Sequence, residues 1–345
     1  VEAGDWFDCG NPDNLVGSRR RLLQARSFNS IRVDEVSGTL TKRSSHTDTL
    51  LEEIGYYLRL PDDLKIFFPR LVAHDQTRHD PYLTVEYYGY WTLSEIWVFQ
   101  SFERPQWTRT FTTLARILDH FAAHTMELSP QALMRFYWDK TLDRVAALAA
   151  HSPSMAELVE ASEVRLNGRT LLGWPALAPR LEGPLARLAS SAEGRAVHGD
   201  LCFTNILMDP LSGLVKFVDP RGSFGGENGV YGDPRYDVAK LLHSVHGGYD
   251  QLIHGMYDLR RHGRAVTLRH FFPAGRRAVL QSFEEVFGPR TDLGDVLLIE
   301  GLLFLSMGAL HTEDERRQTG MFMVGLSILN DVLEGRHLSA CLVTE

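Results

Sequence analysis

The chain has 345 residues, 44% of them apolar and 23% charged, with a formal net charge of -8 and a pI near 6.0. That composition predicts a globular, two-lobed protein rather than a disordered chain, and it offers no general basic field for nucleic acid. Cys9, Cys202 and Cys341 are odd in number and lack CxxC spacing, which argues against a disulfide framework or a zinc site and fits a reducing cytoplasm.

Residues 1–26 begin with Gly, Asp, Asn and Pro before a short helical stretch, and read as a lead-in segment. No basic region followed by an apolar run opens the chain, so no signal peptide is expected. From Phe28 to Arg43, apolar Ile31, Val33, Val36 and Leu40 sit among polar residues around Ser37-Gly38, which predicts a β-hairpin ending in Thr41-Lys42-Arg43-Ser44. A helix should follow, capped by Thr47 or Asp48, with Leu50, Leu51, Ile54, Tyr57 and Leu58 on its apolar side and Pro61 at its end. Tyr82 to Tyr88 is rich in aromatic and β-branched residues and predicts a strand closed by Gly89. Beyond it the chain reads as mainly helical, over about 108–126, about 130–150 and in amphipathic stretches to the C-terminus. Val296 to Leu310 is short for a bilayer and contains Glu300, so it predicts a core helix and no membrane insertion. The expected fold class is α+β, with a small β-rich N-lobe over 27–105 and a larger helical C-lobe over 106–345.

The densest chemistry lies in Val197-His198-Gly199-Asp200-Leu201-Cys202-Phe203-Thr204-Asn205-Ile206-Leu207-Met208 and Leu214-Val215-Lys216-Phe217-Val218-Asp219. Asp209-Pro210-Leu211-Ser212-Gly213 between them is a turn, so Ile206–Met208 and Leu214–Val218 should pair as a hairpin. Antiparallel pairing then sets Asn205 beside Asp219. An amide oxygen and a carboxylate there are hard ligands suited to a Mg²⁺ ion already partly held by phosphate. Asp200, a few residues away, could accept the proton of an attacking hydroxyl.

His198-x-Asp200-x4-Asn205 followed by Asp219 resembles the catalytic and metal motifs of the aminoglycoside phosphotransferase and choline kinase superfamily, which has a bilobal, protein-kinase-like fold. Tyr231-Gly232-Asp233-Pro234-Arg235-Tyr236-Asp237 resembles the segment of that superfamily in which an Asp steadies the catalytic loop, and that role falls on Asp237. The resemblance implies a cytoplasmic small-molecule kinase that uses Mg²⁺ with ATP or GTP, with Asp200 catalytic, Asn205 and Asp219 holding metal, and His198 positioning the loop. Lys42 would contact nucleotide phosphates and pair with Glu53, with Glu52 as the competing choice. Ser27-Phe28-Asn29-Ser30 stands where protein kinases carry a glycine-rich loop. It reads either as phosphate-contacting groups from Ser27, Asn29 and Ser30 or as a plain turn. Glu86 and Tyr88, within Glu86-Tyr87-Tyr88-Gly89, are candidates for adenine contact or for core.

His198-Gly199-Asp200-Leu201-Cys202-Phe203-Thr204-Asn205 with Asp219-Pro220-Arg221-Gly222 is most similar to bacterial kinases of capsule or surface-polysaccharide synthesis. Residues 6–10 and 18–20 resemble the tail of a sugar-nucleotidyltransferase, so such a domain is an expected partner or fusion. The expected acceptor is a sugar or polyol, with Trp138, His243, Tyr249 and His311 lining its pocket. A choline- or aminoglycoside-type phosphotransferase, or a kinase-fold binding module without turnover, is the alternative.

Overall fold

Alternation of apolar and polar residues builds the first hairpin: β1 (Asn29–Asp34) and β2 (Thr39–Ser44) pair antiparallel with Ile31 opposite Lys42. The computed structural model describes residues 29–100 and 102–338. The helix α1 (Thr47–Arg59) follows, with Leu50, Glu53, Ile54, Tyr56 and Tyr57 buried, and the chain leaves it at Leu60 before Pro61. β3 (Leu71–Asp75) and β4 (Tyr82–Glu86) complete a four-stranded sheet of order β1-β2-β4-β3, so β2 is a central strand. The β3 strand was not expected.

The chain divides into two compact units after Gly89. The boundary falls earlier than the expected 105/106 because β5 (Trp91–Thr92) pairs with a strand of the second unit. A capping box of Thr92 and Glu95 then starts α2 (Leu93–Phe99).

The second unit carries most of the helix. After α3 (Arg104–Ala122) come β6 (Thr125–Met126), α4 (Pro130–Met134), a π-turn at Arg135–Asp139, α5 (Lys140–His151) and α6 (Pro153–Val159). β7 (Glu163–Leu166), β8 (Arg169–Leu172), α7 (Trp174–Ser190) and β9 (Gly194–Ala196) lead to the chemistry-bearing loop. The hairpin beyond it is β10 (Ile206–Met208) with β11 (Val215–Phe217), in the register Ile206 to Phe217. Short strands β12 (Ser223–Phe224), β13 (Glu227–Asn228) and β14 (Tyr231–Gly232) precede α8 (Pro234–Val245) and α9 (Tyr249–Ile253). β15 (Tyr257–His262) and β16 (Ala265–His270) follow, then α10 (Arg276–Phe287), α11 (Leu293–Met307) and α12 (Glu315–Leu333). The fold class is α+β, a β-sheet unit followed by a mainly helical one.

The helical unit also holds a four-stranded sheet, β15-β16-β7-β8, beyond the single hairpin expected within a mainly helical lobe. Its first hairpin turns at Asn167 (φ 50°) and Gly168 (φ 84°), the Asn-Gly pair favoured where both turn residues need positive φ. Asn167 then clamps β16, accepting from Leu268 N at 2.8 Å and donating to Leu268 O at 2.9 Å.

The α11 helix packs against α12, α8 and α5. With the turn after it, Leu293–Leu310 spans 18 residues at a mean hydropathy of 1.8, long and apolar enough to cross a membrane by length and composition. In the fold 72% of that stretch is buried within the protein. Glu300 at its centre is 0% exposed, its Oε2 lying 2.8 Å from His246 Nδ1 and its Oε1 accepting from Gly247 N.

Candidate active site

Core packing, backbone pairing and one carboxylate fix the loop from His198 to Asn205. Leu201 and Phe203 are 0% exposed, and Phe203 stacks on Trp107 of α3 with ring centroids 5.8 Å apart. At the hairpin's open end Val218 N donates to Asn205 O at 3.0 Å, which puts Asp219 next to Asn205 in the register. Asp219 has φ 55°, a left-handed conformation shared among described non-glycine residues only by Asn167. Just beyond, Arg221 N donates to His198 O at 2.9 Å and closes the loop onto the hairpin exit.

Asp237, in the first turn of α8, accepts from His198 N at 2.7 Å and from Gly199 N at 2.9 Å. Burial pushes its carboxyl up to about 7 against the pull of these two N–H groups. Gly199 takes φ 77°, and a Cβ there would lie 2.8 Å from Arg221 Cβ. The His198 ring spans the loop: Nε2 donates to Val218 O at 3.0 Å and Nδ1 accepts from Asp200 N at 3.2 Å. One neutral tautomer satisfies both bonds, and burial lowers the imidazole pKa to about 4.

Asp200 is half-buried, its side chain 31% accessible, and its Oδ1 lies 2.7 Å from Lys240 Nζ. Burial pushes the Asp200 carboxyl up, but the Lys240 and Arg221 charges outweigh it and hold the group well below the usual carboxylate range. On Lys240, burial pulls the ammonium down and Asp200 more than restores it, so it stays charged. Sequence reasoning missed Lys240, although it stands three residues after Asp237 on one helix, a spacing that places both on the same face.

Asn205 donates from Nδ2 to Asp200 O at 2.8 Å, with a longer approach of 3.4 Å to Asp200 Oδ2. With Nδ2 so engaged, Oδ1 is left as the acceptor of the amide, and among the described residues it takes a long 3.4 Å contact from Thr204 Oγ1. An acceptor oxygen held open in this way, beside a carboxylate, fits a hard cation such as Mg²⁺. Among the described residues no group of three or more His, Cys, Asp or Glu could hold a metal unaided. The remaining ligands of such a cation would therefore be phosphate and water.

Two of the expected pocket residues are core. His243 is 0% exposed, stacks on Tyr249 at 4.5 Å between centroids, and is pushed far below its ordinary pKa by burial. Trp138 packs on Trp174 at 5.7 Å, and His311 Nδ1 lies 3.2 Å from Glu313 Oε1.

In the β-sheet unit, Lys42 Nζ lies 2.8 Å from Glu53 Oε2, both side chains largely buried. The helical period that turns Leu50, Ile54 and Tyr57 inward on α1 brings Glu53 with them, which makes it the partner of Lys42. Asn29 and Ser30 are not in a turn. They extend β1 opposite Ser44 and Arg43 because the register that begins at the hairpin turn continues unbroken, and the Ser30 side chain is exposed. Ser27 lies outside the described residues. The Glu86 carboxylate is occupied within its own unit, accepting from Arg70 Nε at 2.8 Å and Tyr88 Oη at 3.2 Å. The amides of Glu86 and Tyr87 donate to Arg70 O and Gly38 O.

No family model and no curated protein matches the chain. Among solved structures it is similar to an aminoglycoside phosphotransferase of Streptomyces rimosus, at 16% identity over 83% of this chain and 91% of that one, TM-score 0.47. It is similar to a thermostable mutant of the aminoglycoside phosphotransferase APH(4)-Ia at 13% identity over 91% and 93%, TM-score 0.49. A Haemophilus somnus protein assigned as a fructosamine-3-kinase matches at 13% identity over 92% and 96%, TM-score 0.49.

Proposed function

We propose that the chain is a small-molecule kinase that transfers the γ-phosphate of a Mg-bound nucleoside triphosphate, ATP or GTP, to a hydroxyl of a sugar or polyol. The observation that carries this reading is the convergence of Asp200, Asn205 and Asp219 on one loop and hairpin, with Asp237 holding the loop through two backbone amides. Asp200 would orient the acceptor hydroxyl and take its proton late in a loose transition state, a task that suits a carboxylate kept ionised. Asn205 Oδ1 and the Asp219 carboxylate are the groups that would hold Mg²⁺, which when bound neutralises phosphate charge. Within the β-sheet unit, Lys42, oriented by Glu53, is assigned to nucleotide phosphate oxygens. The motif's resemblance to surface-polysaccharide kinases suggests precursor synthesis as the setting.

An acceptor panel scored by nucleoside-diphosphate release and product mass spectrometry tests the reading, with wild type beside Asp200→Asn. Transfer should fall by about 10²–10⁴ in the variant while Mg-nucleotide binding persists. Loss of less than about tenfold would remove Asp200 from the chemistry. Choline and an aminoglycoside belong in the panel, because preference for either changes the acceptor and leaves the transfer. No diphosphate release with any acceptor in the panel, with Mg-nucleotide still bound, would favour a binding module.

A further inference from the structure

Four cationic side chains, Lys140, Arg144, Arg221 and Lys240, act electrostatically with Asp200, and Lys240 Nζ lies 2.7 Å from its Oδ1. The π-turn Arg135–Asp139 carries Phe136 into the core, where Phe224 stacks on it at 3.8 Å between centroids. Such turns recur at functional sites. Lys140, the first residue of α5, sets its Nζ 3.6 Å from the Phe136 ring centroid. Arg221 approaches the same ring at 5.7 Å. One turn along α5, Arg144 lies within electrostatic reach of Tyr236, Arg221 and Asp200.

Lys140 and Arg144 are half-buried, and neither has a hydrogen-bond acceptor or carboxylate partner among the described residues. Asp139 and Asp143, the carboxylates beside them in sequence, are exposed and pair with neither. Burial pulls both cations below their ordinary pKa and Arg221 pulls each further, with Asp200, and Tyr236 on Arg144, offsetting only part of that. Desolvated, mutually repelling and unpaired, these charges are in place for a negative partner that the chain does not itself supply.

We propose that Lys140 and Arg144 bind an anionic group of the acceptor, a phosphate monoester or a carboxylate, close to Asp200. The proposal rests on the kinase reading for the identity of the acceptor, while the anion site rests on this cluster alone. A cationic acceptor would meet like charges here, whereas an anionic one gains charge-assisted hydrogen bonds from a guanidinium fork and an ammonium.

A test free of turnover labels wild-type lysines with limiting acetic anhydride and follows Lys140 by peptide mass spectrometry. The probes are a hexose, its 6-phosphate, the corresponding hexuronate, and Mg-AMP-PNP. The 6-phosphate or the hexuronate should slow labelling of Lys140 by about tenfold when supplied near ten times its dissociation constant, and the one that does so names the anionic group. Protection by Mg-AMP-PNP alone, or equal protection by the neutral hexose, would assign the cations elsewhere and overturn the proposal. In steady state the anionic acceptor should exceed its neutral parent by about tenfold or more in kcat/KM, and that ratio should shrink in Lys140→Gln and Arg144→Gln. Preference for a neutral or cationic acceptor over every anionic one overturns the anion site and leaves the kinase reading standing. Protection of Lys140 without transfer to any acceptor does the reverse.

Discussion

Replacing Gly199 by alanine tests how tightly the loop bearing Asp200 is held. Gly199 sits at φ 77°, and an added Cβ would meet Arg221 Cβ at 2.8 Å, with Arg221 Cγ and O at 3.5 Å. The left-handed backbone costs a residue with a Cβ about 1–2 kcal/mol. The steric contact adds about 1–3 kcal/mol, because the obstructing atom is bonded to a backbone pinned by the Arg221 N to His198 O hydrogen bond and cannot swing aside. The expected loss is therefore about 2–5 kcal/mol, or about 5–15 °C in the melting temperature of a unit this large. Calorimetric melting measures it. A second background separates the two contributions: in Arg221→Gly the steric part disappears, so Gly199→Ala should cost only the backbone part, a coupling of about 1–3 kcal/mol. A fall in Tm under about 1 °C, or an equal loss in both backgrounds, would refute this account of the loop.

Asp237→Asn removes one of two acceptors facing His198 N and Gly199 N, so stability should fall by about 1–3 kcal/mol and amide exchange at both positions should speed up. Unchanged exchange would mean that the loop is held by something else. His198, with its folded pKa lowered to about 4, binds fewer protons folded than unfolded between that value and its ordinary 6.5. Its contribution is therefore complete above pH 6.5 and lost as pH falls to 4, by about 3 kcal/mol. Asp237, raised to about 7, has the opposite slope, losing stability as pH rises from about 4 to 7. The measurement is thus the difference between wild type and His198→Gln in urea titrations at pH 7 and pH 4.5, and it should narrow toward the acid side.

What the sequence determined by itself was local. Alternation of apolar residues over 29–44 specifies the first hairpin, and the Asp-Pro-x-x-Gly turn brings Asn205 and Asp219 to one end of the second. Those contacts are legible because the strands concerned are joined by short turns, and the intervening chain has few other ways to satisfy its backbone. The Asn167-Gly168 turn was equally readable as a hairpin signal. Its parallel docking, Leu166 beside Val266, joins segments far apart in the chain and has no local signature. The division at Gly89 was likewise decided by packing, because Trp91 and Thr92 find their partners in β10. The same holds for the surroundings of Asp200. Lys140, Arg144, Arg221 and Lys240 come from α5, the hairpin exit and α8, and each reads alone as an ordinary solvated charge. Only the tertiary structure sets them around one carboxylate, because electrostatic energy depends on separation and burial, and neither is encoded at any single position.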